Sequence, residues 1–165
     1  MGSAGVRQHD FPVPEVHAVA LDEPVILDGR LDESVWRSAP ATQRTEVRFA
    51  FDDDALYIGA RMYDDLGADG VRTRLARRDA YVDGDALTIV FDPYHDHLTR
   101  AEFRINPSGT KDDALGPGGA GLDSSWDPIW DAATRIDSLG WTAEIRIPFS
   151  QLNFSTDSLQ TWGLQ

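Results

Sequence analysis

Five tryptophans (Trp36, Trp126, Trp130, Trp141 and Trp162) and four tyrosines (Tyr57, Tyr63, Tyr81 and Tyr94) are the side chains of this 165-residue chain best suited to holding a ligand. A sugar ring has an apolar C–H face that stacks on an aromatic ring, while arginine, asparagine or carboxylates at the rim hold its hydroxyls. The same aromatics also fill protein cores, with the indole N–H or phenol O–H reaching a partner. Core is the commoner role for any one of them. Trp126 is the tryptophan expected to be exposed, because the glycine-rich, compositionally flexible stretch 116–125 precedes it.

Aspartates form a second candidate group. Asp79, Asp83, Asp85, Asp92 and Asp96 flank the apolar run 86–91. Calcium takes several oxygen ligands from loops, so Asp83, Asp85, Asp92 and Asp96 are candidate ligands for a structural calcium ion, with Asp64 and Asp65 as a second loop. No twelve-residue calcium-loop pattern is present, and solvated turn aspartates are the alternative. No cofactor is required by this reading. His95 and His97 flank Asp96 in a turn without an obvious third ligand, which makes them exposed turn residues rather than a zinc site. Gly116, Gly118 and Gly121 match GxGxxG by letter, but the residues after them do not open the helix that phosphate binding needs. There is no GxSxG elbow. Among 28 acidic residues no pair stands out for glycoside hydrolysis.

The net charge of −13 argues against a nucleic-acid partner, because phosphate contacts need positive charge. Without cysteine there are no disulfides or thiolate metal sites. No run approaches the roughly 18 apolar residues of a membrane-spanning helix. The small, polar start reads as a leader or tag over residues 1–15, with one domain over 16–165.

The elements that must position these residues are mostly strands. In 141–147, Trp141, Ala143, Ile145 and Ile147 alternate with Thr142, Glu144 and Arg146, which predicts a strand buried on one face. Pro148 ends it and opens a short helical turn over 148–152. Residues 47–51 and 56–63 form a hairpin around the acidic turn 52–54, and 129–136 forms another with 141–147. Further strands are expected at 25–27, 86–91, 101–106 and 111–115. Asp32 is placed to cap one helical turn, and 71–78 is ambiguous between helix and edge strand. Many short strands with frequent turn signals argue an all-β antiparallel sandwich with one or two short helices. The expected core is Trp36, Phe49, Phe51, Leu56, Ile58, Leu87, Ile89, Phe91, Phe103, Ile105, Trp141, Ile145, Ile147 and Leu152.

Residues 24–36 (PVILDGRLDESVW), 53–60 (DDALYIGA), 103–109 (FRINPSG) and 140–152 (GWTAEIRIPFSQL) resemble, in order, motifs of family 9 carbohydrate-binding modules, which are DOMON-like β-sandwiches. The form most similar stands at the N-terminus of large bacterial outer-membrane or envelope proteins. The resemblance implies a non-catalytic module that recognises saccharides within a secreted, periplasmic or outer-membrane-associated bacterial protein involved in polysaccharide use. By position, Arg104 and Asn106 match the polar groups that bind sugar hydroxyls, with Tyr81 and Trp126 as candidates for stacking. The family's first stacking tryptophan falls at Val82, its rim glutamate at Thr88, and its second stacking tryptophan beyond Gln165. Two other readings stay open. One is a structural or docking sandwich beside a neighbouring domain, with Arg104 paired to an aspartate; the other is a glycoside hydrolase domain. Residues 162–164 read as the start of one more strand. An edge left unpaired there would favour self-association, or replacement by other residues such as those before Phe11.

Overall fold

A computed structural model describes residues 17–38, 45–80, 83–117 and 121–165. Among these residues two sheets face each other. One has five strands in the order β1 (Val19–Ala20), β2 (Thr45–Phe51), β3 (Ala55–Tyr63), β8 (Gly140–Pro148) and β7 (Asp131–Asp137). The other has four, in the order β6 (Lys111–Pro117), β5 (Thr99–Ile105), β4 (Leu87–Asp92) and β9 (Gly163–Leu164). Every pairing is antiparallel except β1 with β2. Helix is confined to α1 (Ser34–Ser38) and two 3₁₀ turns, Gly67–Asp69 and Phe149–Gln151. This is the expected antiparallel sandwich with short helices.

Alternation builds the core between the sheets. Phe49, Leu56, Ile58, Trp141, Ile145 and Ile147 meet Leu87, Ile89, Phe91, Phe103 and Ile105, all buried. Phe91 sits edge-on to Phe49 and to Phe103, with ring centroids 6.4 and 6.2 Å apart, a favoured aromatic geometry. Phe51 departs from the expectation and is 41 % exposed. It shares the inward parity of Val47 and Phe49 but stands at the end of β2, beside the 52–55 turn.

β8 also departs from the expectation. It is buried on both faces, and Thr142 and Glu144 are fully inaccessible. The cover is a strap, residues 25–37, which crosses the outer face of the five-stranded sheet. The strap contains the segment 25–27, which was expected to be a strand but joins no ladder. Val35 and Trp36 of α1 pack with Ala50, Ala55 and Tyr57 into a second, smaller apolar cluster. A Cβ on Gly59 would lie 2.7 Å from Trp36 Cε3, so only glycine lets the indole lie on β3. Glu23 Oε1 accepts the Ser34 N–H at the helix start (3.3 Å), the role expected of Asp32. Residues 71–78 are neither helix nor strand. They are tied down by Arg72 N–H to Asp85 (3.0 Å) and Ala76 N–H to Thr110 (3.1 Å).

Candidate ligand-binding face

The outer face of the four-stranded sheet is set by register. Thr88, Arg104 and Asp112 lie side by side across β4, β5 and β6; Val90, Glu102 and Ala114 form the next row. Arg104 Nη1 stands 4.0 Å from Asp112 Oδ2. A shallow depression of about 10 Å³ is lined by Ala80, Arg104, Asn106, Thr110 and Asp112. The row therefore presents a cation, a hydroxyl and a carboxylate on one partly open surface, a mixture of donors and acceptors that suits hydroxyl groups.

Asn106 is only 8 % exposed and its amide is engaged inside the protein. Its Oδ1 accepts from Ser108 N–H (3.1 Å), Ser108 Oγ (2.9 Å) and Thr110 N–H (2.8 Å), and its Nδ2 donates to the Arg74 carbonyl (2.9 Å). It closes the 106–110 turn and anchors the 71–78 segment. Trp126 is half-buried and edge-on to Phe103, with centroids 5.6 Å apart. Tyr81 and Val82 lie outside the described residues.

The candidate calcium ligands do not converge. Among the described residues no three histidines or carboxylates are grouped so as to hold a metal ion. Asp83 is exposed, and Asp85 Oδ2 accepts the Arg72 N–H. Asp92 accepts the N–H groups of His97 (2.7 Å) and Asp96 (3.3 Å), and Asp96 accepts those of Leu98 (2.8 Å) and Thr99 (3.3 Å). Burial works to raise Asp92, but the two N–H groups outweigh it and hold the carboxyl below its usual range. These aspartates build the turn. His95 and His97 occupy it with positive φ, and the His97 side chain is largely exposed.

Two buried carboxylates were not singled out by sequence reasoning. Asp113 faces the core end of β6. Its Oδ2 accepts from Trp130 Nε1 (3.0 Å) and lies 2.6 Å from Arg78 Nη2. Lys111 covers the Trp130 ring at 4.8 Å. Burial pushes Asp113 up and Lys111 down from their ordinary pKa values. Glu144, under the strap, accepts from Trp36 Nε1 (3.0 Å), Asp28 N–H (3.0 Å) and Gly29 N–H (2.9 Å). Burial still raises its pKa to about 7. The adjacent Thr142 Oγ1 donates to the Gly29 carbonyl (2.6 Å). In both places the carboxylate holds an element together.

No protein-family model and no curated protein matches the chain. Solved structures do match. A family 9 carbohydrate-binding module from Caldicellulosiruptor kristjanssonii in complex with cellotriose superimposes with a TM-score of 0.57 at 23 % identity, covering 89 % of this chain and 72 % of its own. A family 9 module from the same organism in complex with glucose gives 0.55 at 21 % identity, covering 90 % and 74 %. A candidate carbohydrate-binding protein from Bacteroides uniformis gives 0.57 at 14 % identity, covering 82 % and 66 %. The fold is that of family 9 carbohydrate-binding modules. On this family 9 fold, Thr88 and Arg104, two of the positions singled out by the motif resemblance, are cross-strand neighbours on the outer face of one sheet. Asn106 follows at the end of β5, where it serves the turn.

Proposed function

We propose that this family 9-like domain is a non-catalytic saccharide-recognition module, working within a secreted, periplasmic or outer-membrane-associated bacterial protein that handles polysaccharides. The observation that carries the reading is the row Thr88–Arg104–Asp112 on an open sheet face, in a fold whose solved counterparts hold cellotriose and glucose. Arg104 would donate to ring hydroxyls, and Asp112 and Thr88 would accept or donate beside it. Tyr81 is the stacking candidate for this face; Trp126, the other one named from the sequence, packs on Phe103 on the core side of β5 and could meet a ligand only at the sheet's rim. Calorimetric titration with glucose and cellotriose, backed by a glycan array, tests the proposal. Binding that Arg104→Ala removes without lowering the melting temperature supports it. Binding indifferent to Arg104→Ala refutes this assignment of the face.

A second reading, a docking sandwich for a neighbouring domain, is favoured by one observation. Trp36, Trp130 and Trp141 are each at most 3 % exposed, and Trp126 and Trp162 are half-buried, so no described tryptophan stands free as a platform. An array on which no saccharide is retained would favour it.

A further inference from the structure

The strap covers only part of the outer face of the five-stranded sheet. Beside it lies a cleft of 480 Å³, within the roughly 300–1,000 Å³ range of small-molecule sites. It stands on the opposite side of the sandwich from Arg104. Register sets its floor: Glu46 of β2, Arg61 of β3 and Arg135 of β7 lie in one cross-strand row, with the strap-covered Thr142 of β8 between the last two. Trp36, Arg37 and the strap residues Gly29 to Asp32 form one wall.

The lining holds five arginines (Arg30, Arg37, Arg48, Arg61 and Arg135) against three carboxylates (Asp32, Glu46 and Asp137). That is a local excess of two positive charges in a chain of net charge −13. Internal pairing does not use up the donors. Asp137 is occupied by Arg61 through two bonds of 3.0 and 2.8 Å, and this pairing holds its carboxyl below the usual range. Glu46 takes Arg48 Nη1 (2.9 Å) and the Tyr63 hydroxyl (3.0 Å). Among the described residues, Arg37 Nη1 donates to a carbonyl, that of Asp32 (2.7 Å), and not to a carboxylate. Arg48 Nε is buried without a hydrogen-bond partner among the described residues. Arg135 is exposed; its charge helps to hold Asp137 down, but no ion pair within 4.0 Å joins it to a described carboxylate. Among the described residues the cleft holds more guanidinium donors than carboxylate acceptors. The guanidinium fork matches a planar carboxylate. Arg30 Nε is met by Asp28 Oδ2 just outside the lining (3.7 Å), so the excess falls to one, which suits a monoanion better than a phosphate dianion. Asp32 and Tyr63 are placed to meet hydroxyls.

We propose that this cleft binds a small hydroxylated carboxylate, the chemistry shared by a free sugar acid and a uronic-acid residue of a polysaccharide. The proposal does not rest on the Arg104 face. Its test is titration of the full chain, by calorimetry and amide chemical shifts, with glucuronate, glucose, a galacturonate trisaccharide and inorganic phosphate. The expected result is binding of glucuronate or the trisaccharide that shifts Arg135 and Tyr63 amides and weakens at high salt. The double variant Arg37→Gln/Arg135→Gln should weaken it at least about tenfold, and Arg104→Ala should leave it unchanged. Both Arg37 and Arg135 are exposed, and an unaltered melting curve would verify that the double variant is folded. Glucuronate bound as well as the trisaccharide identifies the free acid as sufficient; a preference for the trisaccharide identifies the polymer. Binding of neither acid, binding lost with Arg104→Ala, tighter binding of phosphate, or a folded double variant that binds as before would each overturn the proposal.

Discussion

Raising the pH from about 5 to about 8 should cost this protein stability, chiefly through Glu144, with the raised Asp113 acting in the same direction. The carboxyl is fully buried beneath the strap, and its pKa is pushed from the ordinary 4.5 to about 7. Between those two values the folded protein keeps the proton and the unfolded chain releases it. The unfolded state therefore binds fewer protons, and stability falls as pH rises through the window. Each pH unit is about 1.4 kcal/mol, so the full passage removes about 3 kcal/mol. Lowered carboxylates such as Asp92 and Asp137 act with the opposite sign, and their window lies below the ordinary aspartate value of 3.8. Urea unfolding at a series of pH values, with Glu144→Gln measured in parallel, isolates the effect. The difference between wild type and variant should slope through the window and flatten above it. A flat difference across the whole range would refute the reasoning. It would mean that the three N–H donors from Trp36, Asp28 and Gly29 stabilise the anion enough to cancel the cost of burial.

Further substitutions probe other parts of the fold. Gly59→Ala would drive a methyl to 2.7 Å from the Trp36 ring, and should lower stability by about 1–3 kcal/mol in thermal melts, with increased Trp36 fluorescence quenching as the strap lifts. Trp130→Phe removes the N–H that meets Asp113 Oδ2, while Asp113 Oδ1 has no hydrogen-bond partner among the described residues; chemical denaturation should show a loss of about 1–3 kcal/mol. Phe103→Ala empties the centre of the core, where Phe91, Trp126 and Trp130 all meet its ring, and should cost about 3–5 kcal/mol by the same measurement.

The alternation in 141–147 and 47–51, and the proline at 148, made the strands and most of the core legible in the sequence. Period two tells which side chains share a face; it does not tell how far the opposing sheet reaches. That is why Phe51, with the right parity, stands at the rim. It also does not reveal that a second layer covers the other face. Thr142 and Glu144 read as solvent-facing until the strap is in place, and the one available signal was a tryptophan, Trp36, just after the Asp28–Gly29 turn. Arg104 was named by the motif resemblance, and strand parity sets which sheet face it stands on. Asn106 misled because asparagine before a turn serves the backbone as readily as a ligand. The arginine-lined cleft gathers Arg30, Arg37, Arg48, Arg61 and Arg135 from across the chain; sheet register aligns the last three, and the strap brings Arg30 and Arg37 over them.

The bonds that fasten the strap span most of the chain: Trp36 to Glu144 is a separation of 108 residues, and Asp28 to Glu144 is 116. On a ribosome the strap therefore emerges long before the strand that will hold it. Until β8 is made, the Trp36 indole has neither its acceptor nor the floor formed by β3 and β8. Contacts this far apart are slow to form, because a long loop must close before they contribute. The strap thus settles late during synthesis, after β8 is made, and Trp36 is an apolar surface that the nascent chain must keep from straying partners in the meantime.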